Sequence, residues 1–145
     1  MFMGEYHPTI DEKGRIAIPV RLRRAFGENV VIDRFILTHG FDKCIMGFRD
    51  VDWKEFVEGK LVTLPQSDQK NRMRLRFLLG GATECELGKQ GRIVIPSYLK
   101  EYAEIDRDIT ILGLYNKIEI WSREQYEKYK PNGEELDAFG KELGF

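Results

Sequence analysis

Apolar and polar positions follow the same order in both halves of this chain. In the first half, the short apolar run at residues 16–18 predicts a strand, and Pro19 ends it because proline lacks the amide that a strand interior needs. Leu22, Ala25 and Phe26 then follow the spacing of one helix face, which predicts a short amphipathic helix. The same order returns in the second half at residues 93–95, Pro96, Leu99, Tyr102 and Ala103. Each half therefore predicts a short strand followed by a proline-started helix.

The pattern that follows each of these helices predicts two strands joined by a turn. The strands are expected at residues 30–37 and 43–48 in the first half and at residues 109–114 and 117–121 in the second. Helices are expected at residues 51–58, 68–79 and 122–129, and a last acidic helix follows the break at residues 131–133. The predicted fold class is therefore α+β, with peripheral helices around a β core.

An internal repeat relates the two halves. Residues 13–19, KGRIAIP, return as residues 90–96, QGRIVIP, at an offset of 77. A unit of about 45 residues is too small to bury much surface alone, so the copies are expected to pack together around a pseudo-twofold axis. The predicted organisation is a first module at residues 5–50, a helical connector at 51–80, a second module at 81–124 and a C-terminal helical tail at 125–145.

Composition places the chain among ordinary globular proteins. Its 145 residues are 42% hydrophobic and 32% charged, and no apolar run approaches the length that crosses a bilayer. The first residues lack the basic and apolar regions of a secretion signal, so a cytoplasmic location is expected. The two cysteines, Cys44 and Cys85, have no CxxC spacing, which favours buried thiols in a reducing compartment.

Charge is balanced overall but unevenly distributed. The 23 basic and 24 acidic residues argue against a general polyanion binder. Residues 10–26, however, carry a local net charge of +3, residues 69–83 carry four basic and no acidic side chains, and residues 131–145 carry −3. Opposed poles are therefore expected, and the basic pole is suited to phosphates.

Candidate chemistry lies in two Gly-Arg loops, Gly14-Arg15 and Gly91-Arg92. A glycine before the arginine permits a tight turn with positive φ and close approach to a phosphate backbone. The arginine fork can grip phosphate or read guanine in the major groove, and Lys13 and Lys89 can hold the backbone beside it. Asp11 either caps the first turn or orients Arg15, and the sequence favours neither role.

Two further basic groups remain ambiguous. Arg21, Arg23 and Arg24 are expected on the outer side of the first short helix, where a solvated face and a DNA-facing surface are equally compatible with the pattern. The second copy has lost most of that charge, so the first module is expected to carry more of the contact with DNA. The basic run of the connector suits a helix flank, a subunit interface or DNA; its members are Lys70, Arg72, Arg74 and Arg76.

The D-x-x-x-R pattern from Asp11 to Arg15, the short apolar strand and the proline-started helix resemble the swapped-hairpin β-barrels of the AbrB and SpoVT type. Two such modules in tandem, joined by a basic helical segment, are similar to the MraZ family of bacterial transcriptional regulators. One departure is Gly88, which stands where the second copy would have the aspartate. Arg92 is therefore expected to lack the carboxylate partner that Arg15 has, and the two loops are expected to be unequal.

This resemblance implies a sequence-specific protein that binds double-stranded DNA and assembles into homo-oligomeric rings. Such rings would bind short G-rich direct repeats upstream of the division and cell-wall gene cluster, in the nucleoid. No cofactor, metal, membrane or small-molecule substrate is implied. The expected DNA-binding residues are Asp11, Lys13, Gly14, Arg15, Arg21, Arg23, Arg24, Lys89, Gly91 and Arg92.

Two other classes of function remain open from the residues. A small phosphate-handling enzyme would use the Gly-Arg loops for its substrate, but the sequence has no phosphate-binding loop of the P-loop type and only His7 and His39 as histidines. An antitoxin-like module would use the barrel to dock a protein partner, which leaves the second copy and the arginine loops unexplained.

Overall fold

The computed structural model describes residues 1–145 as eight strands and six α-helices. The strands are Phe2–Tyr6 (β1), Arg15–Ala17 (β2), Arg34–His39 (β3), Ile45–Phe48 (β4), Thr83–Glu86 (β5), Arg92–Val94 (β6), Ile109–Tyr115 (β7) and Lys117–Ser122 (β8). The helices are Val20–Arg23 (α1), Asp50–Phe56 (α2), Gln69–Leu78 (α3), Ser97–Tyr102 (α4), Arg123–Tyr129 (α5) and Gly133–Glu142 (α6). None of these helices has the length and apolar character needed to cross a bilayer.

The strands form two antiparallel sheets, which confirms the predicted mixture of helices and β structure. A six-stranded sheet has the order β1-β7-β8-β4-β3-β5, and β2 pairs with β6 in a separate two-stranded ribbon. The first strand of each half pairs with the hairpin of the other half, since β1 pairs with β7 and β5 pairs with β3. Strands β1 and β5 form the two edges of the larger sheet, so a closed barrel stays a prediction.

Equivalent residues of the two copies meet in the ribbon. Ile16 lies opposite Ile93. The amide of Ile18 donates to the carbonyl of Gly91 at 2.9 Å, and the amide of Ile95 donates to the carbonyl of Gly14 at 2.8 Å. Because these two hydrogen bonds are related by the offset of the repeat, the ribbon has a local twofold relation.

One hydrophobic core joins the two halves. It contains 19 buried residues, and both copies contribute the matching ribbon and helix positions Ile16, Ile18, Leu22, Ile93, Ile95 and Leu99. Burying one such side chain stabilises the fold by about 1.5–3 kcal/mol. A smaller cluster of Met46, Phe48, Leu61 and Leu78 fixes α2 and α3 against the sheet. The main core is therefore shared by the two halves, as the repeat predicted, while the smaller cluster lies within residues 46–78.

Several predicted boundaries are wrong. The strand expected from residue 30 begins only at Arg34, because Val30 and Val31 are exposed and have no strand partner. The helix expected at residues 51–58 ends at Phe56 and continues as a π-helical turn, Val57–Leu61. Strands β1 and β5 were not predicted. Of the four residues of β5 only Cys85 is buried, so the strand carries almost no apolar signal.

Candidate nucleic-acid interface

The first Gly-Arg loop is organised around the carboxylate of Asp11. One oxygen, Oδ1, accepts hydrogen bonds from the amides of Lys13 and Arg15, both at 2.9 Å. The other, Oδ2, accepts from Nε of Arg15 at 2.8 Å. Asp11 therefore caps the turn and orients the guanidinium, which combines the two roles that the sequence left open.

The same contacts lower the pKa of Asp11. The largest cause is the hydrogen bond from the Arg15 amide, which outweighs the opposing effect of partial burial. The Arg15 side chain and the Lys13 amide act in the same direction. These donors favour the charged carboxylate, so Asp11 stays ionised at neutral pH and holds Arg15 electrostatically as well as by geometry.

The second loop repeats the backbone of the first. Gly14 and Gly91 have φ of 76° and 72°, which confirms the predicted positive φ at both turns. The amide of Gly91 donates to the carbonyl of Gly88 at 2.9 Å, and the amide of Gly14 donates to the carbonyl of Asp11 at 3.0 Å. The loops therefore differ in their side chains and not in their turns.

The ribbon brings both arginines to one surface. Arg15 lies opposite Val94 and Arg92 lies opposite Ala17, while Ile16 and Ile93 between them point into the core. Nη1 of Arg92 lies 3.9 Å from Oδ2 of Asp11. That distance suits an ion pair but is too long for a hydrogen bond. The expectation that Arg92 lacks a carboxylate partner is therefore wrong: it shares the one that Arg15 uses.

The remaining loop cations lie beside these arginines. Lys13 and Lys89 are exposed in the two turns. A shallow concavity beside the ribbon is lined by Arg15, Lys89 and Arg92, with Glu86 as its acidic residue. The loop surface is therefore basic and open to solvent, as contact with a large anion requires.

The arginines at the end of the first loop's helix, Arg21 and Arg23 in α1 and Arg24 just after it, divide into two environments. Arg21 and Arg24 are exposed, as expected. Arg23 is only partly exposed, because its Nε donates to the carbonyl of Ile18 at 3.0 Å and its guanidinium lies against Gly91. A Cβ placed on Gly91 would lie 2.7 Å from Cζ of Arg23. The outward position expected for Arg23 is therefore wrong: the side chain bridges the first half to the second loop.

This bridge and the contact between Arg92 and Asp11 were missed because both join residues that are far apart in the sequence. The signal that was present is Gly91, since a residue without a side chain allows another group to approach the backbone closely. Gly91 indicated that another group approaches its backbone, and that group is the guanidinium of Arg23.

The two cysteines are buried and free, as predicted. Burial raises the pKa of the Cys85 thiol to about 11 and raises the pKa of Cys44 further. A thiol with a raised pKa is a poor nucleophile at neutral pH, so these residues act as core side chains.

Comparison with known proteins identifies the family. The family described as "MraZ protein, putative antitoxin-like" matches residues 1–77 and 78–142. A protein of Thermoanaerobacter pseudethanolicus named Transcriptional regulator MraZ is 46% identical, over 91% of this chain and 88% of that relative. Proteins of the same name from Desulfitobacterium hafniense and Moorella thermoacetica are 44% and 41% identical. They cover 98% and 99% of this chain, and 95% and 96% of their own lengths. With two matching family segments and relatives similar along almost the whole chain, the protein belongs to the MraZ family.

Proposed function

We propose that this protein is a transcriptional regulator that binds double-stranded DNA through the β2–β6 ribbon and its two Gly-Arg loops. The observation that carries the proposal is the placement of Arg15 and Arg92 on one face of a two-stranded ribbon, with Asp11 between them. The relatives named Transcriptional regulator MraZ support the same class of function.

Arg15 is the proposed base-reading residue. A two-stranded ribbon fits the major groove, where an arginine fork can donate to O6 and N7 of guanine. Asp11 holds Nε of Arg15, and no other hydrogen bond within the chain engages its side chain, so the donors of both terminal nitrogens are free. Because Asp11 restricts the arginine before DNA arrives, less side-chain entropy is lost on binding.

The remaining cations are proposed to hold the phosphate backbone. Lys13 and Lys89 lie in the turns, Arg21 is exposed on α1, and Arg24 is exposed just after that helix. Arg23 is assigned a positioning role, since it supports the backbone of the second loop at Gly91. The protein would need no cofactor, and we assign it no catalytic step.

We further propose that several copies assemble into a ring, so that neighbouring ribbons meet consecutive short G-rich repeats. The target would lie upstream of the division and cell-wall gene cluster, in the nucleoid. The exchange of β1 and β5 between the halves supports the swapped-hairpin arrangement of the two modules. Contacts through several copies make binding multivalent, so a single repeat should bind weakly.

The test is a titration of duplexes that carry one G-rich repeat or several at constant spacing, over a series of salt concentrations. Affinity should rise steeply with the number of repeats. The logarithm of the binding constant should fall by about 0.9 per neutralised phosphate for each unit of log salt. Equal affinity for all duplexes would exclude the ring on repeats, and failure to bind any duplex at low salt would exclude DNA binding itself.

The antitoxin-like alternative predicts a different result in a simple assay. A module that only docks a protein partner has no need of a polyanion, so it should pass through immobilised random duplex DNA at low salt. A DNA-binding protein should be retained and then eluted by salt. Retention therefore separates the two classes before any specific sequence is known.

A further inference from the structure

Helix α6 presents an apolar face with nothing packed on it. None of its residues is buried, and Leu136, Phe139 and Leu143, the last just after the helix, are 58%, 52% and 59% exposed. Their spacing places them on one face. Acidic residues border that face on one side, at Glu135 and Glu142, while Gly133 and Gly140 border it on the other.

Helix α3 presents the complementary surface. Asn71 and Leu78 face the protein, and Met73 on the opposite side is 58% exposed. Phe77 stacks one face of its ring on His39 at a centroid distance of 3.9 Å and keeps 46% of its surface exposed beside Met73. Basic residues flank this apolar pair on both sides. They are Lys70 and Arg74 on one side and Arg76 on the other.

The charges of both helices are unpaired within the chain. No ion pair of 4.0 Å or less involves a basic residue of α3 or an acidic residue of α6. Arg74 donates instead to the amide oxygen of Asn71 at 2.6 Å. An apolar stripe bordered by cations and an apolar stripe bordered by anions are therefore both exposed on one molecule.

We propose that α6 of one copy packs on α3 of a second copy, with the two apolar stripes in contact and the flanking charges paired. The two surfaces differ, so the contact is head-to-tail and passes from copy to copy, as closure of a ring requires. The inference rests on the proposed assembly of several copies and supplies its contact surface. Other protein partners of α6 are outcomes of the test.

In this contact α3 belongs to the subunit interface and does not bind DNA. If α6 of a neighbour covers α3 and neutralises its cations, replacing them should leave the salt dependence of DNA binding per copy unchanged. If α3 lies against phosphates, the slope should fall by about 0.9 for each cation removed. The connector is thereby assigned to the subunit interface.

The experiment reverses charge on each helix while sparing side chains with internal contacts. One variant carries Glu135→Lys and Glu142→Lys in α6, and the other carries Lys70→Glu and Arg76→Glu in α3. Light scattering over a concentration series should show each variant dissociating at a concentration at least tenfold higher than wild type. An equal mixture of the two variants should assemble again. Glu55→Lys with Glu101→Lys, both exposed elsewhere and outside any ion pair, is the matched control and should assemble as wild type does.

Every other outcome contradicts a defined part of the proposal. If wild type assembles and both reversed variants assemble equally well, or if the mixture fails to reassemble, the α6–α3 contact is wrong while the proposed regulator remains. If wild type stays monomeric at every concentration, the proposed ring is wrong as well. The same conclusion holds if the monomer packs α6 on its own α3. Should a reversed variant lose its helical circular dichroism, Phe139→Ser compared with Val62→Ser takes its place. Only the former should weaken assembly.

Discussion

The two Gly-Arg loops have the same backbone conformation but supply different side chains. Gly14 and Gly91 adopt the same left-handed conformation, and the hydrogen bonds across the two turns match to within 0.1 Å, at 3.0 Å and 2.9 Å. The first loop supplies Asp11, which contacts both arginines. The second loop supplies a bare glycine against which Arg23 of the first half packs. The duplication has therefore produced one joint arrangement of side chains and not two independent loops.

The largest expected effect separates the two arginines. Arg15→Ala should lower affinity for a multi-repeat duplex by at least about 100-fold, because a guanine contact worth roughly 1–3 kcal/mol is lost in every copy. Arg92→Ala should cost several-fold less, since its guanidinium has no hydrogen bond that fixes it for base reading. Fluorescence anisotropy on one duplex compares the two.

Thermal unfolding is the control for these variants, because both side chains are partly exposed and contribute little to the core. Lys70→Ala should have only a mild effect on DNA binding. Wild-type affinity in Arg15→Ala, or equal losses for the two arginines, would show that the loops are equivalent or that the ribbon does not read the bases.

The second prediction concerns Asp11, on which both arginines depend. Asp11→Asn should lower specific affinity by several-fold, because Arg15 loses its charged anchor. Affinity for random duplex should rise, because a negative charge near the phosphates is removed. The measurement is the ratio of the two affinities. A ratio equal to that of wild type would mean that Asp11 does not organise the arginines for reading.

The stabilising effect of Asp11 also has a predictable pH dependence. Hydrogen bonds from the Arg15 amide, the Arg15 side chain and the Lys13 amide lower its pKa below the usual 3.8 in the folded protein. Its contribution is therefore complete above the unfolded-state pKa and is lost as the pH falls through the lower, folded-state pKa. Thermal unfolding of wild type and Asp11→Asn should differ constantly above about pH 5 and converge below pH 4. A difference that grows on acidification would contradict this origin.

The next prediction uses the glycines to test the Arg23 bridge. Gly14→Ala and Gly91→Ala both force alanine into positive φ, at a similar cost of about 1–2 kcal/mol. A Cβ at Gly14 has 3.5 Å to its nearest neighbour, whereas one at Gly91 displaces Arg23 and breaks its hydrogen bond to Ile18. Gly91→Ala should therefore be less stable than Gly14→Ala by about 0.5–1.5 kcal/mol.

Chemical unfolding in the presence and absence of Arg23→Ala provides the control for that comparison. With Arg23 removed, the extra cost of Gly91→Ala should disappear, because nothing is left to displace. A difference between the glycines that persists in the Arg23→Ala background would place its origin elsewhere.

The sequence predicted the features that depend on neighbouring residues and missed those that depend on contacts between the two halves. The ribbon strands, their proline-started helices and the positive φ of Gly14 depend on neighbours in the chain, and all were predicted. Strand β5 was missed because it is held by pairing with β3 of the other half rather than by its own apolar residues. Arg23 on Gly91 and Arg92 near Asp11 were missed for the same reason, since both contacts arise only when the halves pack together.

The smallest expected effect comes from a variant that restores the missing carboxylate of the second loop. Gly88 is not in the left-handed region, and a Cβ there would have 3.7 Å to the carbonyl of Arg92. Gly88→Asp should therefore fold normally and give Arg92 an acceptor of its own, as Asp11 does for Arg15. Because Arg92 already shares Asp11, the gain in specific affinity should be at most a fewfold.

Gly88→Ala is the matched control for this variant, since it changes the backbone preference without adding a carboxylate. A modest gain in Gly88→Asp that is absent in Gly88→Ala would make the second loop resemble the first and narrow the gap between Arg15→Ala and Arg92→Ala. Loss of binding in both variants would show that the glycine is needed for its backbone, and the inequality of the loops would then originate in the turn. Loss in Gly88→Asp alone would mean that Arg92 works best when its guanidinium stays free for phosphate.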